Sequence, residues 1–210
     1  MKTFLSLSVL TIIFIVSAIT VNVLSQENDS LVKAFNRSVN FEAEKNYTSA
    51  ISELEKFSAE GSNVYLFNLR MGWLKYSTAD YDGSIKYYKK AAELNPKSPE
   101  PLLGLRLPYA ARNEWTEVKN IYNSIIALDP NNYEANLRLG QIALNENLQS
   151  AKSYLEKAYT ISPSQYEANL SLGYTYYYLG NSSKAREHLN NALMVSENDS
   201  LAQAGLKLLK

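Results

Sequence analysis

The stretch Tyr133–Gly140 reads YEANLRLG, and it returns 33 residues later as YEANLSLG at Tyr166–Gly173. A related copy, YLFNLRMG at Tyr65–Gly72, lies 68 residues before the first, which is twice 34. Within each copy the apolar residues recur every three or four positions, as they do along one face of an amphipathic helix. A period of this length predicts an array of similar helical units, each too small to bury its apolar face alone.

Proline and glycine mark the ends and the contacts of these helices. A proline forces the residue before it out of the α region, so each recurring proline predicts the end of a helix. These prolines stand in the dipeptides Asn95-Pro96, Asp129-Pro130 and Ser162-Pro163. Glycine inside a helix costs about 1 kcal/mol against alanine. Gly72, Gly140 and Gly173 therefore predict places where a paired helix comes too close for a side chain.

The repeated blocks resemble the tetratricopeptide repeat family, in phase from about Leu31 to the end of the chain. The resemblance implies an all-α fold, a right-handed superhelical solenoid of antiparallel helix hairpins. We expect five units and a short C-terminal capping helix, in which Leu201, Leu206 and Leu209 cover the last hairpin. The predicted units are residues 31–64, 65–98, 99–132, 133–165 and 166–199, with the cap at 200–210. The fourth unit lacks one residue in its turn, near 145–148.

The third unit departs from the pattern. Pro108 falls in the middle of its first helix, where it removes one hydrogen bond and clashes with the carbonyl of Gly104. Arg106 stands where the neighbouring units have glycine. We therefore expect a kinked or shortened helix near Gly104–Pro108 that bends the groove at its centre, with sequence drift in a non-critical unit as the alternative.

The first 25 residues predict a secretory signal peptide. Lys2 is followed by an uncharged, largely apolar run from Phe4 to Leu24, and Ser25–Gln26 is the preferred cleavage point. The alternative is an uncleaved membrane anchor, since the run approaches the length that spans a bilayer. In both cases residues 26–30 form a polar linker and the repeats lie outside the cytoplasm, in the periplasm or secreted.

Composition excludes several partners. The 21 basic and 21 acidic residues cancel, so nucleic acid is not an expected partner, and membrane contact is expected only if the N-terminal segment is uncleaved. The absence of cysteine excludes disulfides and zinc–thiolate sites. No nucleophile–base pair, phosphate-binding loop or metal-ligand cluster is present in the sequence, so we expect no enzyme activity, no cofactor and no metal. The only histidine, His188, is predicted to lie on the solvated outer side of a helix.

The family resemblance implies that first helices line a concave groove and that a partner lies there. Aromatic residues at groove positions would form an apolar surface of the kind enriched in binding hot spots. Packing between units is the alternative role for each of these side chains. The predicted groove residues are Phe35, Leu69, Trp73, Tyr76, Leu107, Gln141, Tyr174, Tyr177 and Tyr178. In the run 174–178, at least one tyrosine must face outward, because consecutive helical residues point around the axis.

One family subtype is disfavoured. Chaperone-binding members hold a partner's terminal carboxylate with lysine and asparagine, and the matching positions here are Phe35, Val39 and Glu100, which leaves Arg70 as the basic candidate. The leading hypothesis is an exported scaffold that binds a protein or peptide segment in an envelope or secretory assembly. A carbohydrate or cell-wall binder that stacks sugars on tyrosine and tryptophan is the alternative. Six glycosylation sequons begin at Asn28, Asn36, Asn46, Asn169, Asn181 and Asn198.

Overall fold

The computed structural model describes residues 30–209, and the predicted signal segment at 1–25 lies outside them. The described residues divide into two compact units, which end and begin at Asn95 and Pro96. Every regular element in the described part is an α-helix. None of these helices combines the length and apolarity that a bilayer-spanning helix needs.

The N-terminal unit contains five helices: α1 over 30–43, α2 Tyr47–Glu55, α3 Ser58–Gly61, α4 Tyr65–Ser77 and α5 Tyr81–Leu94. Its core is formed by apolar side chains from α1, α2 and α4, including Leu31, Leu54, Phe67 and Leu74. The second helix of the first hairpin is broken at Lys56–Phe57 into α2 and the single turn α3.

The C-terminal unit contains seven helices: α6 Glu100–Ala111, α7 Trp115–Leu128, α8 Tyr133–Ala143, α9 Leu148–Ile161, α10 Tyr166–Tyr178, α11 Ser182–Val195 and α12 Ser200–Leu208. Consecutive helices pair as hairpins, and α12 packs against both α10 and α11. The predicted all-α fold of paired helices is thus confirmed within each unit. The helices α5, α7 and α9 each end two residues before Pro96, Pro130 or Pro163, as the dipeptides predict.

The turns inside the hairpins share one backbone feature. Residues with positive φ come directly before the first capping position of the second helix in four of the five hairpins. They are Lys45, Ala79, Asn113 and Gly180, with φ between 59° and 76°. The turn from α8 to α9 is the one that is shorter by a residue, and its described residues include none with positive φ. The deleted residue therefore corresponds to the left-handed position of the other turns.

The helix glycines lie at close contacts, as predicted. A Cβ atom on Gly173 of α10 would lie 2.6 Å from Leu189 Cγ and 3.3 Å from the Leu189 backbone nitrogen of α11. A Cβ atom on Gly140 would meet Leu155 in the same way, at 2.5 Å. The hairpins can interlock this tightly only without a side chain at these positions.

The predicted shortening at Pro108 is wrong. Helix α6 runs continuously from Glu100 to Ala111, and its 12 residues match the 11 to 13 of α4, α8 and α10. Pro108 is buried and lies three residues from the helix end, so the lost hydrogen bond to Gly104 affects only the last turn. The bend at this point remains a prediction.

Candidate functional site

A cleft of about 550 Å³ opens in the C-terminal unit among α8, α10 and α12, and we call it the tyrosine cleft. It is lined by Leu144, Asn145, Leu148, Leu170, Ser171, Tyr174, Tyr178 and Leu201. Two of its apolar side chains remain largely open to solvent, Tyr178 at 61% and Leu201 at 55% exposure. Solvent-exposed apolar side chains beside a polar rim are typical of surfaces that bind another molecule.

The tyrosines of this region have different surroundings. The hydroxyl of Tyr174 donates a 2.7 Å hydrogen bond to the carbonyl of Leu201, which fixes the ring at the wall of the cleft. Tyr178 faces outward and meets Tyr177 edge to face at 5.2 Å between ring centroids. Tyr177 packs on the core, and Tyr176 is buried. The prediction that the run 174–178 turns at least one tyrosine to solvent is confirmed.

Leu201 corrects one sequence expectation. We expected it to cover the last hairpin together with Leu206 and Leu209. Those two do pack against the core of the last hairpin. Leu201 instead lies on the cleft side of α12, since the carbonyl that Tyr174 binds belongs to this residue and turns the first turn of α12 toward α10.

A second cleft, of about 410 Å³, lies among α6, α7 and α8, and we call it the arginine cleft. Its lining consists of Arg106, Ala110, Trp115, Val118, Tyr122, Arg138, Gln141 and Ile142. Arg106 occupies the position that is glycine in α4, α8 and α10, so its side chain projects into the space where those helices meet their partners. Trp115, at the start of α7, is 60% exposed.

Charged groups run along the surface beside the arginine cleft. Arg138 contacts Glu134 at 3.1 Å and Glu167 at 3.2 Å, and it donates a 2.8 Å hydrogen bond to Gln141. Burial opposes the charge of Arg138, but the hydrogen bond and negative charge of Glu134 outweigh it and raise the pKa of the guanidinium. Arg106 lies 4.0 Å from Glu134, beyond hydrogen-bonding distance, and its buried Nε atom has no hydrogen-bond partner.

The two clefts share α8. The side-chain amide of Gln141, in the wall of the arginine cleft, donates a 3.3 Å hydrogen bond to the hydroxyl of Ser171 in the tyrosine cleft. Leu107, predicted as a groove residue, lies half-buried on α6 and lines neither cleft. Of the predicted residues in this unit, Gln141, Tyr174 and Tyr178 are thus brought to the clefts.

The predicted groove residues of the N-terminal unit form a separate surface. Trp73 stacks obliquely near Tyr76, with 5.9 Å between ring centroids, and its indole N–H donates a 2.5 Å hydrogen bond to Glu42. Phe35 lies beneath the Arg70 guanidinium, 5.2 Å from its ring centroid. Leu69 is half-buried between these groups on α4. Arg70, the basic candidate of the sequence, binds Glu42 at 2.8 Å, so a chain-internal carboxylate already occupies it.

His188 is not on the solvated surface that the sequence predicted. It is 6% exposed, its ring stacks on Tyr176 at 5.5 Å with 6° between planes, and the edge of Tyr159 meets it at 4.9 Å. Burial lowers the pKa of His188, against the negative charges of Glu187 and Glu156, which raise it. The prediction failed because the outer position of α11 in this unit is covered by rings from α9 and α10.

The sequence analysis also passed over Trp115 and Arg106 as site residues. The signal was present, since Arg106 was recognised at a glycine position and Trp115 is one of two tryptophans. Among residues 30–209, no group of three or more histidine, aspartate or glutamate side chains is arranged to hold a metal ion. Of the sequons in the described part, that of Asn169 is buried, because this side chain is 1% exposed.

Comparison with known proteins agrees with this architecture. Residues 143–209 and 67–98 match models of the tetratricopeptide repeat. The chain is 27% identical over 187 residues to the TPR repeat-containing protein MJ1428 of Methanocaldococcus jannaschii, in an alignment that covers 84% of this chain and 33% of that protein. The chain therefore spans about a third of the length of this curated relative.

Solved structures share the fold at low sequence identity. A tetratricopeptide repeat protein from Parabacteroides merdae superimposes with a TM-score of 0.73 at 17% identity, covering 86% of this chain and 72% of that one. YrrB, described as a TPR protein with an unusual peptide-binding site, gives a TM-score of 0.68 at 18% identity, with 89% and 97% covered. The two matched segments and the shared fold identify this chain as a tetratricopeptide repeat protein.

Proposed function

We propose that this protein is a non-enzymatic scaffold that binds a segment of another protein, and that the tyrosine cleft holds the apolar part of that segment. The exposure of Tyr178 and Leu201 on either side of the cleft carries the proposal. Covering side chains of this size and exposure contributes about 1 kcal/mol each. The peptide-binding site of the similarly folded YrrB supports the same class of function.

The structure of the cleft favours a peptide over a rigid surface. Tyr174 is fixed by its hydrogen bond to Leu201, so little side-chain freedom is lost when a ligand covers it. Asn145 and Ser171 add polar groups at the rim, which can bind the backbone of an extended segment. The combination of a fixed aromatic wall and a polar rim fits an apolar side chain carried on a peptide backbone.

The binding test uses protein purified from cells that express the full chain. Peptides selected from a random display library are labelled and titrated by fluorescence anisotropy. We expect Tyr178→Ala and Leu201→Ala to weaken the selected peptides about tenfold each, as for interface hot spots. Met194→Ala, which removes a 78% exposed side chain from α11, is the matched control and should change nothing. Equal binding by all variants would exclude the tyrosine cleft.

We further propose that the scaffold is exported and acts in an envelope or secretory assembly. This proposal rests on the charge and hydropathy pattern of residues 1–25, which lie outside the described residues. N-terminal sequencing of protein recovered outside the cytoplasm should begin at Gln26 if the signal is cleaved. Recovery of the protein with Met1 intact in the membrane fraction would instead indicate the anchor, and recovery in the cytoplasm would contradict export.

A further inference from the structure

The arginine cleft contains an incomplete electrostatic arrangement. Arg106 and Arg138 line it, and no acidic side chain is among the lining residues. Arg138 is fully occupied by Glu134, Glu167 and Gln141. Arg106 has only the distant Glu134, at 4.0 Å, and its buried Nε atom lacks a partner. A buried, unpaired guanidinium donor destabilises the protein unless another group binds it.

The shape of the cleft offers an apolar wall next to this donor. Trp115 is 60% exposed at the start of α7, and Val118 and Ile142 line the space beside it. Arginine and tryptophan are the residue types most enriched where interfaces concentrate their binding energy. A ligand that fits both features carries a carboxylate next to an apolar group.

We propose that the arginine cleft takes an aspartate or glutamate of the bound peptide, with Arg106 binding the side-chain carboxylate and Trp115 packing against a neighbouring apolar residue. This inference rests on the proposed peptide-binding function and specifies which peptides are preferred. Guanidinium and carboxylate groups form the strong, charge-assisted class of hydrogen bond. The Arg106 position, glycine in the other hairpins, thereby gains a reason for its irregular residue.

One peptide can reach both clefts. They lie on opposite sides of α8 and are connected by the Gln141–Ser171 hydrogen bond. Neighbouring packed helices lie about 8–10 Å apart, and an extended chain advances about 3.3 Å per residue. The acidic residue is therefore expected about three positions from the apolar residue that enters the tyrosine cleft.

The test compares pairs of peptides that differ only in charge. A peptide selected on the wild-type protein is synthesised with its acidic residue and with the isosteric amide, Glu against Gln or Asp against Asn. We expect the acidic form to bind wild type at least about tenfold more tightly, with a preference that shrinks as salt is raised. Arg106→Gln should abolish the preference, and Arg106→Glu should reverse it toward a lysine-containing peptide.

Two further variants keep the result interpretable. Arg112→Gln removes an arginine from the same hairpin outside the cleft and should keep the full preference. Trp115→Ala should weaken both members of each peptide pair equally, because it removes the apolar wall and not the charge. Thermal melts followed by circular dichroism check that each variant is folded.

The possible failures are distinguishable. If peptides bind through Tyr178 but show no acidic preference, or if Arg106→Gln leaves that preference intact, the arginine-cleft inference is wrong and the proposed function stands. If no library peptide binds the wild-type protein, the proposed function itself fails, and the inference fails with it.

Discussion

The Nδ1 atom of His188 lies 3.2 Å from the Oδ1 atom of Asn169, inside the C-terminal unit. The orientation of the Asn169 amide is fixed, because its Nδ2 group donates to the carbonyls of Pro163 at 2.7 Å and Gln165 at 3.0 Å. Its oxygen must therefore face the histidine, and Nδ1 of His188 must carry the proton. The neutral ring then takes up a second proton only at Nε2, in a site that is 6% exposed.

This arrangement predicts that the protein loses stability in mild acid. The pKa of His188 is lowered in the folded state by burial, so the unfolded chain binds the proton more readily. The free energy of unfolding is then constant above about pH 6.5, the ordinary pKa of histidine, and falls as the pH drops below it. Each tenfold difference in proton affinity between the two states removes about 1.4 kcal/mol.

Urea unfolding between pH 5.5 and 7.5 measures this loss. His188→Phe should flatten the curve in that window, and no other histidine complicates the comparison because the chain has only one. A wild-type curve that rises toward pH 5.5 would mean that the folded state prefers the charged ring.

The buried asparagines predict a graded effect of side-chain removal. Asn136 repeats the bonds of Asn169, donating to Pro130 at 3.1 Å and Asn132 at 2.8 Å. Asn136→Ala should cost about 1–3 kcal/mol, because two carbonyls lose their donor. Asn169→Ala should cost more, since it also leaves the Nδ1–H group of His188 unpaired. A double-mutant cycle with His188→Phe should show coupling for Asn169 and none for Asn136.

The left-handed turn residues predict opposite outcomes for one pair of substitutions. Ala79 has φ of 60°, a strained value for a residue with a side chain, while Gly180 has φ of 76° in the equivalent turn. Ala79→Gly should therefore raise the free energy of unfolding by about 0.5–1 kcal/mol, and Gly180→Ala should lower it by about 1 kcal/mol. Thermal unfolding of both variants checks the signs, and two changes of the same sign would contradict the assignment.

The glycine contact between α10 and α11 predicts a cost for the smallest added side chain. Gly173→Ala places a methyl group 2.6 Å from Leu189 Cγ and should destabilise the protein by about 1–3 kcal/mol, despite the higher helix propensity of alanine. Gln203→Ala, at an exposed position of α12, is the control that adds alanine to a helix without a clash. Equal stability of the two variants would show that the helices can separate at no cost.

The amino-acid sequence by itself determined the repeated hairpins, the helix ends before Pro96, Pro130 and Pro163, and the close contacts at the glycines. These features depend on local geometry and on a period that recurs in phase, so a single chain reveals them. The outward tyrosine of the run 174–178 followed in the same way from the helical turn angle.

Only the tertiary structure decided which side chains meet between neighbouring helices. The position of His188 within its helix predicted solvent, yet rings from α9 and α10 cover it. Leu201 and Arg106 had similarly plain roles in the sequence, and each lines a cleft because of where α12 and α7 lie. Burial and hydrogen bonding are sums over residues distant in sequence, so a helical period fixes the face of a side chain but not what covers that face.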